Sequence, residues 1–147
     1  MTATPTDTAD ALRSAAERAA ADIPAEVRFA YLFGSRATGR ARPDSDVDVA
    51  VLLDDGLPAH EADRVAASVG ERLSAESGLA RIEVVVLNDA ELRFAGRVLR
   101  DRVVIFSRDE ERRVAYESLV GRMADDVEVW AAPLDRELLA AIAEGRR

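Results

Sequence analysis

Cysteine is missing from this chain of 147 residues. Its absence excludes a disulfide framework, thiol catalysis and any thiolate metal site. Also missing is an apolar run of membrane-spanning length, and the opening "MTATPTDTADALRSAAERAA" has neither a basic leader nor an apolar one. The chain is therefore expected in the cytoplasm and off the membrane. Positive charge is in deficit: 20 Lys plus Arg stand against 28 Asp plus Glu, a formal net charge of -8 with a pI near 4.7. Such a field repels phosphate polymers and anionic lipid, so nucleic acid is not expected as a direct partner. Repeats, linkers and low-complexity segments are absent too. What remains is 48% hydrophobic and 33% charged, the balance of a globular chain with a heavily charged surface. One domain over 1–147 is expected, with a core about 7–107 and a helical tail about 108–147.

Periodicity places the elements. Leu12, Ala15, Ala16, Ala19 and Ile23 recur at helical spacing, with Thr6, Asp7 or Thr8 as cap and Pro24 as the end. "VRFAYLF" (27–33) is rich in β-branched and aromatic residues and reads as a strand that stops at Gly34. "RATGRARPDS" reads as loop and "DVDVAVLL" as a second strand. Ala62, Val65, Val69 and Leu73 then stripe a helix between Pro58 and Gly78. "RIEVVVL" is a third strand, "DAELRFAGRVLR" a short helix and "RVVIFS" a short strand. A long helical tail follows, with Val114, Leu119, Met123, Val127 and Trp130 on one side, a break at Pro133, and a last stripe of Leu134, Leu138 and Ile142. The fold class is α+β: a small mixed or antiparallel sheet flanked by helices, with a C-terminal helical tail.

"FGSRATGRARPDSDVDVAVLL" (33–53) carries the chemistry. Asp46 and Asp48 are two apart on a strand, so their carboxylates leave the same face with Cα atoms roughly 6.5 to 7 Å apart. Their repulsion is about 2 kcal/mol at an effective dielectric of ~20, which calls for a cation between them. Mg²⁺ suits, because it takes one or two carboxylates and fills its octahedron with waters and substrate phosphates. A lone DxD is equally well a polar turn with Asx-type bonds. Here it is accompanied. Gly34 lets backbone approach a ligand, the Ser35 hydroxyl and nearby amides donate to phosphate oxygens, and Arg36, Arg40 and Arg42 gather positive charge in an acidic chain.

Gly34-Ser35, ten residues, then Asp46-Val47-Asp48 resembles the signature of the minimal nucleotidyltransferases of the DNA polymerase β superfamily. The filler "RATGRARPDS", the strand "RIEVVVLNDA" and much of the tail share the resemblance. It implies transfer of a nucleotide to an acceptor hydroxyl with loss of pyrophosphate, ATP as substrate and two Mg²⁺ ions. By the same resemblance Asp46 and Asp48 bridge the ions, and Glu83 completes the metal site nearest the attacking hydroxyl. Gly34 and Ser35, with Arg36 and Arg42, hold the β- and γ-phosphates. Read on its own residues, Glu83 is equally a partner for Arg81 or an exposed side chain on an edge strand. The family usually has aspartate there, and the added methylene of glutamate shifts a ligand oxygen by about 1 Å or more. His60 reads as a surface residue.

About sixty residues follow "RIEVVVLND", too few for the added helical domain with which small-molecule members hold an acceptor. Within the family the chain is most similar to the antitoxins of HEPN/MNT toxin–antitoxin pairs. That resemblance implies AMP transfer to tyrosine hydroxyls of a HEPN ribonuclease toxin, with an acidic surface suited to a basic partner. The stripe ending in Trp130 is either core or the contact. The alternatives are an antitoxin that binds without catalysis and a transferase acting on a small molecule such as an antibiotic.

Overall fold

A computed structural model describes the backbone of residues 5–143, with side chains described for 7–127, 140 and 141. The elements in order are α1 (Pro5–Arg18), β1 (Val27–Phe33), α2 (Ser35–Thr38), β2 (Val47–Leu53), α3 (Ala59–Ser77), β3 (Ile82–Val86), α4 (Leu92–Asp101), β4 (Val103–Ser107) and α5 (Glu110–Ala143). The four strands form one mixed sheet ordered β3-β2-β1-β4, with β1 antiparallel to β2 and β4, and β2 parallel to β3. The α+β expectation holds. No helix among the described residues is long and apolar enough to cross a membrane.

Strand alternation builds two cores. Ala30 and Leu32 of β1 and Val47, Val49, Val51 and Leu53 of β2 pack beneath α1 and α3. Phe29 and Tyr31 of β1 and Ala50 and Leu52 of β2 face the other way, beneath α4 and α5, with Val98 and Leu99. Because both faces of β1 and β2 are covered, these strands read as nearly continuous apolar runs. Each large side chain taken fully out of water is worth about 1.5 to 3 kcal/mol, so the central strands carry much of the stability.

Four details depart from the sequence expectation. Helix α1 starts at Pro5, which puts Thr6, Asp7 and Thr8 inside its first turn, and it ends at Arg18, ahead of Pro24. Thr8 is buried there. The supposed loop after Gly34 begins with α2, whose first carbonyl, that of Gly34, accepts from Ala37 and Thr38 at 3.0 and 3.2 Å. The backbone of α5 stays helical through Pro133, since a proline removes one helical bond and bends a helix without having to end it. Of the two readings of the α5 stripe, core or contact, the core reading fails for the described residues: Tyr116, Val120 and Ala124 pack inward, while Val114, Leu119 and Met123 are exposed. Trp130, Leu134, Leu138 and Ile142 lie outside the described side chains.

A polar network explains that choice of face. Glu117 accepts from Tyr31 Oη at 2.9 Å, Arg102 Nε at 2.9 Å and Arg113 Nη1 at 2.6 Å, so the inward surface of α5 includes a carboxylate that apolar periodicity does not register. Burial, followed by the Glu117 hydrogen bond, pushes the Tyr31 hydroxyl far above its ordinary range, so it stays a neutral donor. Removing Glu117 takes the acceptor from the buried Tyr31 hydroxyl, while Arg113 keeps Glu110 and Arg102 keeps the Leu99 carbonyl. Glu117→Ala is expected to lower the unfolding free energy by roughly 1 to 3 kcal/mol in a urea titration. A loss below about 0.5 kcal/mol, the scale of an exposed pair, would show that the network does not anchor α5.

Candidate active site

The strand register assembles the site. Phe33 on β1 pairs with Asp48 on β2, and Asp48 pairs with Glu83 on β3, so three side chains stand in one row on the α4/α5 face. Asp46 lies two residues before Asp48 at the mouth of β2 and is exposed. Phe94 of α4 closes on Phe33 edge-to-face, with ring centroids 5.9 Å apart, and Arg97 lies over the Phe94 ring. Cover from α4 thus reaches β1 at this corner, while Glu83 on the outer strand remains exposed.

Gly34 joins the turn to the row. Its φ of 76° lies in the left-handed region, and a Cβ added there would collide with Asp48 Oδ2 and stand 3.3 Å from Asp48 Cγ. Only glycine lets this backbone lie against the carboxylate. The amides of Ser35 and Arg36 follow directly, and neither donates to a backbone carbonyl among the described residues. Gly34 and Asp48 therefore meet, with Ser35 next in the chain.

The arginines are placed differently. Arg36 turns its guanidinium back on the loop, donating through Nη2 to Ser45 O at 3.0 Å and Pro43 O at 3.3 Å. Arg81, with φ at 58°, donates through Nη1 to Asp44 O and accepts from Val47 N–H at 3.0 Å. Three consecutive carbonyls ahead of Asp46 are thus held by two guanidinium groups from opposite sides. Arg42 contributes a local turn, its amide donating to Ser45 Oγ at 2.7 Å, and its side chain is exposed. Arg81 is the residue that sequence reasoning missed, having offered it only as a partner for Glu83. An arginine's reach to a distant carbonyl leaves no periodic signal. His60 is exposed at the start of α3, as expected.

Burial, then the charge of Glu83, then that of Asp46 raise the Asp48 pKa above its ordinary value. Among the described residues, Asp46, Asp48 and Glu83 have no ion pair with a protein cation, and no three potential metal ligands converge into a finished cage. The donors are oxygen only, Asp48 and Glu83 being mounted on strands and Asp46 just ahead of β2, and the anion at Asp48 lacks a counter-charge among the described residues. That donor set fits a hard divalent cation, which would relieve the repulsion.

A carboxyl whose pKa rises on folding costs the fold stability once ionised and nothing below its unfolded value, near 3.8 for aspartate. Asp48→Asn is therefore expected to melt higher than the wild type at neutral pH without divalent metal, the gain shrinking as pH falls toward that value. An equal or lower melting point at neutral pH would contradict the electrostatic picture. Gly34→Ala should cost at least the roughly 1 to 2 kcal/mol of a left-handed residue bearing a Cβ. Wild-type stability in that variant would show that the turn does not press on Asp48.

Comparison with known proteins agrees with this geometry. The family described as Polymerase beta, Nucleotidyltransferase matches residues 19–111, a span that contains the turn, both aspartates and Glu83. No curated protein matches the chain significantly. A toxin–antitoxin crystal structure with AMP-PNP is similar in fold, with a TM-score of 0.65 at 16% identity over 86% of this chain and 98% of that one. A tri-AMPylated Shewanella oneidensis HEPN toxin in complex with MNT antitoxin is similar at a TM-score of 0.62, with 14% identity over 89% and 98%. The MntA-HepT toxin–antitoxin matches at 0.61, with 15% identity over 88% and 98%. With the family matched over most of its length and its two motifs in contact on one sheet face, this chain belongs to the polymerase beta nucleotidyltransferase family.

Proposed function

We propose that the chain is a Mg²⁺-dependent adenylyltransferase that moves AMP from ATP to a tyrosine hydroxyl of a HEPN toxin, and so serves as the antitoxin. The observation that carries this reading is the row Phe33, Asp48, Glu83 with the Gly34 backbone seated on Asp48. In the transfer, a bond forms between the acceptor oxygen and the α-phosphorus, the bond from that phosphorus to the bridging oxygen breaks, and pyrophosphate leaves. Mg²⁺, held by Asp46, Asp48 and Glu83, would supply the positive charge that this displacement needs. The chain's own part is to hold and orient. The Ser35 and Arg36 amides and the Ser35 hydroxyl receive the phosphates, and Arg42 offers an exposed guanidinium beside them. Arg36 and Arg81 keep the Asp46 loop in place, and Glu83 accepts the proton of the attacking hydroxyl.

The partner is supported by two facts. The similar folds include an MNT antitoxin in complex with a tri-AMPylated HEPN toxin and the MntA-HepT toxin–antitoxin. On α5, Leu119 and Met123 stand one turn apart with 57% and 46% of their surface exposed, an apolar face suited to a protein contact. A second reading, neutralisation by binding alone, draws on Glu83 in place of aspartate and on the absence of a finished carboxylate cage among the described residues.

The test is intact mass spectrometry of the neighbouring-gene product, or of a HEPN protein supplied as acceptor, after incubation with the chain, ATP and Mg²⁺. The expected result is a gain of one or more AMP units with the wild type and none with Asp46→Asn/Asp48→Asn. An unchanged mass in a complex that still co-purifies would replace transfer with binding.

A further inference from the structure

β3 is an edge of the sheet, with no strand on its outer side. The bonds at its two ends, Val47 N–H to Arg81 O at 3.0 Å and Leu87 N–H to Val51 O at 2.9 Å, fix the parity of its parallel ladder: odd-numbered residues bond toward β2. Ile82, Val84 and Val86 therefore turn their N–H and C=O groups outward. Among the described residues, no turn, loop or cap bond reaches them. Edges are usually blunted by Lys, Pro, a bulge or a covering segment. "IEVVV" has neither Lys nor Pro, and it pairs with β2 without a register shift.

Beside this open edge runs a groove of about 1040 Å³ between β3 and α3. Its α3 wall is built from small residues such as Ala66, Gly70 and Ser74. A Cβ at Gly70 would press within 3.3 Å of Val84 Cγ2 and 3.7 Å of the outward Ile82 carbonyl oxygen, so the missing side chain keeps both groove and edge open. Asp63 and Glu71 also line it, opposite Arg81, whose guanidinium is engaged by Asp44 O. With two carboxylates against one guanidinium, the net charge of the groove lining is negative.

We infer that β3 is the docking strand for the acceptor: an extended segment of the substrate protein adds to this edge with its hydroxyl-bearing residue opposite Glu83. The inference rests on the transfer reading above and names how that same site receives its substrate. A residue paired with Glu83 projects from the face that carries Glu83 and Asp48, extending their row by one strand spacing of about 4.8 Å. A tyrosine there lies over the carboxylates. Its two neighbours in the segment project from the opposite face into the groove, where small walls admit large apolar side chains and Asp63 and Glu71 attract a basic one. Backbone bonds supply affinity, the groove supplies selection, and the alternation of the added strand delivers one side chain to the chemistry.

The probe is a blocked synthetic peptide in which tyrosine is flanked by leucines and followed by arginine, added to the full chain without ATP. Amide hydrogen exchange at Val84 and Val86 is expected to slow about tenfold or more at saturating peptide. No slowing overturns the proposal, as does slowing that instead rises with the concentration of the chain alone, which would assign the edge to a second copy. In the transfer assay with the HEPN protein, Val84→Pro removes one outward N–H, a change that edge strands tolerate. It should raise the acceptor KM about tenfold while ATP binding stays unchanged. Gly70→Leu fills the groove from the helix and should do the same, which guards against a folding defect in the strand variant. A wild-type acceptor KM in both variants overturns the proposal. If peptide docks yet nothing is adenylylated, the transfer reading fails and the docking strand stands.

Discussion

Two carboxylates placed side by side on neighbouring strands are the constraint around which this molecule is arranged. Asp48 and Glu83 share one register position, and the sheet gives them no protein cation, so the anion at Asp48 is disfavoured by burial, by Glu83 and by Asp46. An unrelieved repulsion of this kind is a standing cost in a domain whose net stability is only about 5 to 15 kcal/mol. It is tolerable because the strands that carry it are buried on both faces farther along, at Val49, Val51 and Leu53 on one side and Ala50 and Leu52 on the other. The stable middle of the sheet holds its unstable mouth in place.

The surroundings of the pair act on backbone more than on charge. Gly34 brings a bare main chain against Asp48, and Arg36 and Arg81 grip three successive carbonyls just before Asp46. Positive charge near the carboxylates is thus used to fix a loop, and none of it forms an ion pair with Asp46, Asp48 or Glu83 among the described residues. The opposite end of the row is closed by Phe33 against Phe94, while the β3 end is open. The open end of the row is the edge strand.

The sequence made much of this legible. Strand β1 matches the apolar run 27–33 residue for residue, and α3 lies between Pro58 and Gly78 as their helix-boundary chemistry demands. The GS and DxD motifs were readable because each depends on local geometry: a glycine at positive φ, and two side chains on one strand face. Glu83 was reached through the family resemblance, with the strand reading supplying the position, and its pairing with Asp48 needed the sheet order, which a sequence does not state. The bonds of Arg36 and Arg81 to the carbonyls ahead of Asp46 were not legible, because a guanidinium on a long stem chooses among many acceptors by tertiary position. Which face of α5 turns inward was left open for a related reason. Glu117 holds that face through Tyr31, Arg102 and Arg113, so the helix turned its charge inward and left Leu119 and Met123 outside. Proline at 133 overstated a break because its effect on a long helix depends on context.

The claim that the Asp48 face is a cation and triphosphate site is tested most directly by electron paramagnetic resonance of Mn²⁺, titrated into the full chain with and without AMP-PNP. The account predicts tight Mn²⁺ uptake that requires the nucleotide and disappears in Glu83→Gln as well as in Asp48→Asn. Uptake unchanged in those variants would place the metal elsewhere and contradict the account.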